Sequence, residues 1–368
     1  MASNDHKNLI EILTQHQAYL YRASSQSVNE LTRLFNSESD VMLSKLRDLL
    51  EELSDAEKVA LAGGLYTTTN LKEIRDLIAK WFASLSTSIP EVFAVSATAL
   101  AVYEAIYISK LYGGKIKKPN GNKLYSSAKK TPLIGGALVD DLLSKIAESA
   151  RQKVEYAIRE GLSSGKTNQE IIQRIRGTKR QNYEDGILNT SKSDIDRTVR
   201  TLRSHVANQA YQDSFNQLGF EYVKLVATLD GRTSKLCAYL DGTVWAINDP
   251  AKRVPPLHPN CRSILVPVDK DGLLIGQRPF VMDERKVKDI PKDERDHLIG
   301  QIDANTTFKV FFKKTDDFFQ KEWLGPKRYK LYKEGKLDFD KFFDPEGQLY
   351  TLEHLRKLDE LKFKELGI

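Results

Sequence analysis

FEYVKLVATLDG, residues 220–231, is where the chain changes its period. Tyr222 and Lys224 alternate with Val223 and Leu225, which is the two-residue repeat of a strand covered on one face, and the run stops at the turn dipeptide Asp230-Gly231. The device then repeats. Asp241-Gly242 makes a second turn ahead of a strand read from Val244 to Ile247, and SILVPV from residue 263 supplies a third. Three short strands and two Asp-Gly turns predict a small antiparallel sheet with long loops, one of them at 248–262. Helical patterns flank it on both sides. The expected class is therefore α+β: a mainly helical N-terminal part, a small antiparallel sheet domain carrying a Cys/His loop, and a mixed helical C-terminal extension.

Upstream, apolar residues recur every three or four positions: Leu9 and Leu13; Val28, Leu31 and Phe35; Leu46, Leu49, Leu50 and Leu53. NSESD at 36–40 offers capping residues, so a break between helices is expected there. Leu71, Ile74, Ile78, Trp81 and Leu85 continue the helical pattern until Pro90. Residues 92–109 then form an apolar run with one charge, Glu104, ended by Gly113 and Gly114. A carboxylate in mid-run costs roughly 2.5–3.5 kcal/mol in a bilayer, so a buried helix is expected and a stable membrane span is not.

From 113 to 139, Lys115, Lys117, Lys118, Lys123, Lys129 and Lys130 occur among glycines and prolines, with no acidic residue between them. This reads as a basic connector, or as an arm that touches nucleic-acid phosphates. GLSSGKTNQE at 161–170 lacks the spacing of a phosphate-binding loop; Gly161 and Gly165 are expected to make a turn, and Thr167 with Glu170 a capping box. The next helix carries Ile195, Val199, Leu202, Val206 and Ala210 on one face, with Arg197, Arg200 and Arg203 off it. Beyond 271 the chain reads as mostly helical and rich in aromatics, with a turn at 344–347 and a last helix capped by Thr351 and running through Leu361.

A chain of 368 residues exceeds one ordinary core and predicts two or three domains. With 40% hydrophobic and 29% charged residues it has the balance of a globular protein, and a net charge of +6 is compatible with a phosphate-bearing partner. Two cysteines cannot build a disulfide framework, so a reducing compartment is expected. The first ten residues show no signal-peptide pattern, and no internal repeat is seen.

Both cysteines belong to the sheet region. Cys237, His258 and Cys261 lie on loops of one small sheet and can converge, while Pro255, Pro256 and Pro259 stiffen the loop around the histidine. Three readings follow. The cluster is a metal-free clasp in which the cysteines pack as small hydrophobes, and Arg232 and Arg262 tie Asp230 or Asp241 to the loop. Alternatively Cys237, His258 and Cys261 hold a zinc ion, although Ser234 stands where a C-x₂-C pair would put its first cysteine. The third reading, a Cys/His nucleophile, lacks an identifiable orienting residue. No enzyme is expected, and no cofactor other than that zinc.

The string from Ala227 to Val268 resembles the tailed-phage head-morphogenesis family typified by protein F of phage Mu. The resemblance rests on Asp230, Arg232 and Thr233, then Cys237, then Leu240, Asp241 and Gly242, then Pro255, Pro256, His258, Pro259, Cys261 and Arg262. It extends upstream through Arg200, Thr201 and Asn208. Family members often carry cysteines where Ser234 and Ser263 stand here and an acidic residue where Leu202 stands, so this chain departs at those points. The resemblance divides the chain into a helical region at 1–135 with its basic linker, a head-morphogenesis domain at 140–270, and a C-terminal extension at 271–368. It implies a minor head protein, assembled in the host cytoplasm and carried in the virion. Its implied partners are the portal or major capsid protein, with packaged DNA as a further contact. The competing classes are a DNA-binding accessory and a toxin-like enzyme built on the Cys/His loop.

Overall fold

The computed structural model describes residues 9–114 and 119–368. Helices α1 (Leu9–Glu51), α2 (Asp55–Ala62), α3 (Thr69–Leu111), α4 (Gly121–Lys130), α5 (Val139–Ser163), α6 (Asn168–Arg176) and α7 (Asn189–Gln217) precede the first strand. Then come β1 (Tyr222–Val226), β2 (Leu229–Asp230), α8 (Lys235–Leu240), β3 (Val244–Ala246), β4 (Ile264–Val268), β5 (Gln277–Val281), α9 (Arg295–Leu298) and β6 (Ile299–Asp303). Helices α10 (Phe308–Lys314), α11 (Asp317–Leu324), α12 (Pro326–Lys333), α13 (Leu352–Leu358) and α14 (Glu360–Glu365) close the chain. The class is α+β, as the change of period at 220 implies.

Two compact units are present, and both are discontinuous in sequence. Among the described residues, one comprises 9–20, 107–114 and 211–368; the other comprises 21–106 and 119–210.

The second of these units is helical. Its α1 does not break at 36–40, because Phe35, Ser39, Met42 and Leu46 carry the buried stripe straight through, with a small serine at the polar position. Nor does α3 end at Pro90. Proline removes one backbone hydrogen bond there, but Leu85, Ile89, Phe93 and Ala97 are buried on both sides and hold the helix together. The basic connector is likewise more ordered than its composition suggests. Asn120 caps α4, and Tyr125 and Ala128 bury one face of that helix. Thr167 and Glu170 form the expected capping box of α6, whereas Gly161 lies inside α5, where a side chain would strike Ile171. The apolar stripe of α7 from Ile195 to Val206 is buried as expected. Arg200 reaches back to donate to the Tyr21 carbonyl at 2.5 Å and the Ser25 hydroxyl at 3.1 Å.

One helix among the described residues, α3, is long and apolar enough to cross a membrane. Phe93, Ala97, Ala101, Glu104, Ala105 and Ile108 along it are buried within the protein.

The first unit holds the sheets. Sheet A has the order β3-β1-β4 and is antiparallel throughout, pairing Val223 with Trp245 on one side and Pro267 on the other. These are the three strands read from sequence, except that the first is split: β1 stays in sheet A, while β2 leaves it to pair in parallel with β5. The tail beyond 271 is mixed and mostly helical, as expected, and two strands in it, β5 and β6, join β2 in a second sheet, sheet B, of order β2-β5-β6. The aromatic segment supplies the unit's apolar core, where Phe308, Phe311, Phe312, Phe319, Trp323 and Phe339 pack together with Leu229 and Ala238. The last helix breaks at Asp359, which caps α14, so Leu358 and Leu361 fall on exposed positions.

Candidate functional site

Two carboxylates at the two Asp-Gly turns organise the site. Asp230, at the end of β2, is almost fully buried. Its oxygens accept a two-pronged guanidinium from Arg262, Nη1 at 2.5 Å and Nη2 at 2.8 Å, with Arg232 Nη2 at 3.2 Å on the other side. The Arg232 backbone N–H at 3.0 Å and the Thr233 hydroxyl at 3.1 Å also donate to it. Burial alone would raise the pKa of this carboxyl, but the hydrogen bonds and charge of Arg262, with the charge of Arg232, outweigh it and hold Asp230 below its usual range.

Asp241 works differently. Its side chain is fully buried, and Arg278 of β5 brings Nη1 to 3.0 Å of Oδ2. The backbone N–H groups of Ala227 and Phe308 donate to the same carboxylate at 2.7 and 2.6 Å. Arg278 also donates to the carbonyls of Thr306, at 3.0 Å, and Ala227. Arg232 and Arg262 thus both take Asp230, as one of the two expected arrangements; the partner of Asp241 is a residue the sequence did not single out. Gly242, next in the chain, has φ of +89°, and a Cβ there would lie 2.7 Å from the Thr307 methyl, so the turn requires glycine.

The cysteines and histidine do converge. Cys237 sits in the first turn of α8, whose N-cap is Ser234, with the Ser234 hydroxyl accepting from the Cys237 N–H at 3.2 Å. Across from it, Asn260 adopts φ of +59°, a conformation asparagine tolerates, and lets the Cys261 N–H return to the His258 carbonyl at 3.1 Å. The Cys237 sulfur lies 3.6 Å from that of Cys261 and 3.2 Å from His258 Nε2. His258 Nδ1 lies 2.9 Å from the Pro259 carbonyl, so that nitrogen carries the proton and Nε2 faces the sulfurs. Ser234 and Ser263, at the two positions where the resembling family often has cysteine, both favour ionisation of the Cys237 thiol.

The proton-sharing among these groups is uneven. The Cys261 hydrogen bond and burial raise Cys237, whereas the Cys237 hydrogen bond, against the opposing effect of burial and with help from His258, pushes Cys261 well down. Burial would lower His258, but the Cys261 hydrogen bond and charge and the Pro259 carbonyl reverse that and raise it. A cysteine with a lowered pKa beside a histidine is the pairing a nucleophile uses. However, Cys261 is only 2% exposed and its sulfur faces the other sulfur, so a substrate cannot approach it in this conformation.

This is the geometry that the Asp-Arg-Thr, Leu-Asp-Gly and Pro-Pro-Leu-His-Pro-Asn-Cys-Arg strings build. Residues 152–266 match the family described as phage Mu protein F like protein. That segment is similar to the family. No curated protein and no solved structure gives a significant match. The family segment runs from within α5 through α6, α7 and sheet A to β4. Arg278, although it neutralises Asp241, lies beyond it.

Of the connector lysines, Lys115, Lys117 and Lys118 fall outside the described residues. Lys123 and Lys130 are exposed on α4, while Lys129 pairs with Asp140 at 2.8 Å and lies over the Tyr125 ring.

Proposed function

We propose that this chain is a minor head protein of a tailed phage, a structural component that acts at the portal or the capsid interior during procapsid assembly. The observation that carries the reading is the family match over 152–266. The site agrees with a structural role. Its two carboxylates are saturated by arginines and backbone donors, and its most acidic thiol is buried, so the residues common to the family act here to fix loops onto two sheets. On this reading the protein is made in the host cytoplasm, is built into the head, assists DNA packaging or leaves with the genome, and needs no enzymatic activity.

Quantitative mass spectrometry of purified procapsids and virions of the phage encoding this chain tests it. The chain is expected in both, at far below major-capsid abundance. Its absence from both would sink the proposal, and its presence only in the host cell fraction would favour an enzyme or toxin-like role.

A further inference from the structure

We infer that Cys237, His258 and Cys261 form a binding site for one zinc-class cation, held by two sulfurs and one imidazole nitrogen. All three ligand atoms lie within 4.8 Å of one another. Zinc bonds of about 2.3 Å to sulfur and about 2.0–2.1 Å to nitrogen make tetrahedral edges of about 3.8 Å between sulfurs and about 3.6 Å from sulfur to nitrogen. The observed edges, 3.6 Å between the sulfurs and 3.2 Å from Cys237 to His258, are each a few tenths of an ångström shorter. A small outward movement of these side chains brings both edges to the length the ion needs.

The surroundings orient the donors as a ligand set. The Pro259 carbonyl holds His258 Nδ1, which leaves Nε2 aimed at both sulfurs; a fixed far nitrogen is the usual support of a metal-binding imidazole. The Asn260 turn holds His258 and Cys261 at one spacing, and the Ser234 cap fixes Cys237 on the other side. The donor set contains no carboxylate, because Asp230 and Asp241 are both committed to arginines. Soft sulfur with imidazole selects zinc over magnesium or calcium. Three protein ligands leave the fourth tetrahedral position to water. The site would stitch the start of α8 to the 254–262 loop, across 21 residues between the cysteine and the histidine.

The test uses the full chain, purified reduced, stripped with a chelator and titrated with zinc against a chromophoric competitor. One zinc per chain is expected. Cobalt(II) is expected to give the visible bands of a tetrahedral site with near-ultraviolet thiolate charge transfer. Cys261→Ser and His258→Ala should each weaken binding roughly tenfold or more. Since unfolding of either variant would also abolish binding, Ser234→Cys provides the converse: a third sulfur at the rim should tighten binding and intensify the charge-transfer band, a gain that misfolding cannot produce. A stripped chain that keeps its circular dichroism and free thiols yet takes up no zinc and shows no cobalt charge transfer would overturn the inference. So would zinc binding that survives both ligand substitutions. Either result leaves the head-protein reading standing, since that is decided in particles.

Discussion

Arg278 meets Asp241 across 37 residues of chain, with Nη1 3.0 Å from Oδ2 and both side chains buried. One end of this pair is the turn that leads into β3 of sheet A, and the other is the second residue of β5 in sheet B. The same carboxylate also receives the N–H groups of Ala227 and Phe308, so a single group joins sheet A, sheet B and the start of α10.

Asp241→Ala is therefore expected to be among the most damaging changes in the sheet-bearing unit. Removing one partner of a buried pair costs ~3–5 kcal/mol. Replacing Arg278 as well, with Met, should recover only part of this, because the two backbone donors still lack an acceptor, at ~1–3 kcal/mol each. Urea unfolding of the single and double variants measures both. Full recovery in the double variant would show that the backbone bonds contribute little.

Asp230→Asn keeps the size of the side chain but leaves Arg262 and Arg232 without their counter-charge. Arg262 retains some solvent, so the expected cost is ~3 kcal/mol, at the low end for a broken buried pair. Arg232→Ala, at a side chain 37% exposed, should cost ~1 kcal/mol or less. A larger loss from Arg232 than from Arg262 would reverse the assigned roles.

The same carboxylate sets an acid limit. Burial opposes its ionisation, but Arg262 and then Arg232 prevail, so the folded state binds this proton more weakly than the unfolded chain does. Its contribution is complete well above the ordinary value of 3.8 and is lost as pH falls through the lower folded value. Stability measured from pH 6 down to acid should therefore decline below about pH 4 in the native chain, and less steeply in Asp230→Asn.

His205, in the helical unit, shifts at a milder pH. Burial lowers its basicity, and its hydrogen bonds to the Ala128 and Thr131 carbonyls offset this only in part. The unfolded chain then takes up the proton first. Stability is fully present above the ordinary value of 6.5 and falls as pH drops from there towards the folded value. His205→Gln should remove that slope while leaving the one from Asp230 in place, which thermal melts across the range would resolve.

If packaged DNA touches the connector, Lys123→Gln and Lys130→Gln should each weaken binding and reduce the log–log salt slope by ~0.9 per lost phosphate contact. Lys129→Gln should do less, since Asp140 already occupies that ammonium. Unchanged affinity and slope after all six connector lysines are neutralised would leave this segment as a linker.

The site was legible because its signals are local: turn dipeptides, prolines flanking a histidine, and cysteines at short spacing. Arg278 was not, since QRPFV holds a proline, gives no alternation and finds its carboxylate 37 residues upstream. Sheet B was missed for the same reason, β6 being IGQID, whose two isoleucines stand three positions apart around a glycine and a glutamine and so give no two-residue alternation. The long helices were misjudged in the opposite direction. Capping residues at 36–40 and Pro90 are genuine stop signals, and burial on either side of them overrode both.

The interleaving of the two units has a consequence for biosynthesis. Residues 21–106 and 118–210 are complete before the strands have been translated, so the helical unit can form while the ribosome is still at work. Residues 9–20 and 107–114, which bring Ile10, Leu13 and Ile108 to the buried interior of the other unit, complete that unit only with segments that emerge after position 211. Such distant partners make the sheet-bearing unit the slower one to close. The nascent chain thus has an interval in which residues 9–20 and 107–114 still lack the rest of their unit, and that interval is when a chaperone or an assembly partner would find them.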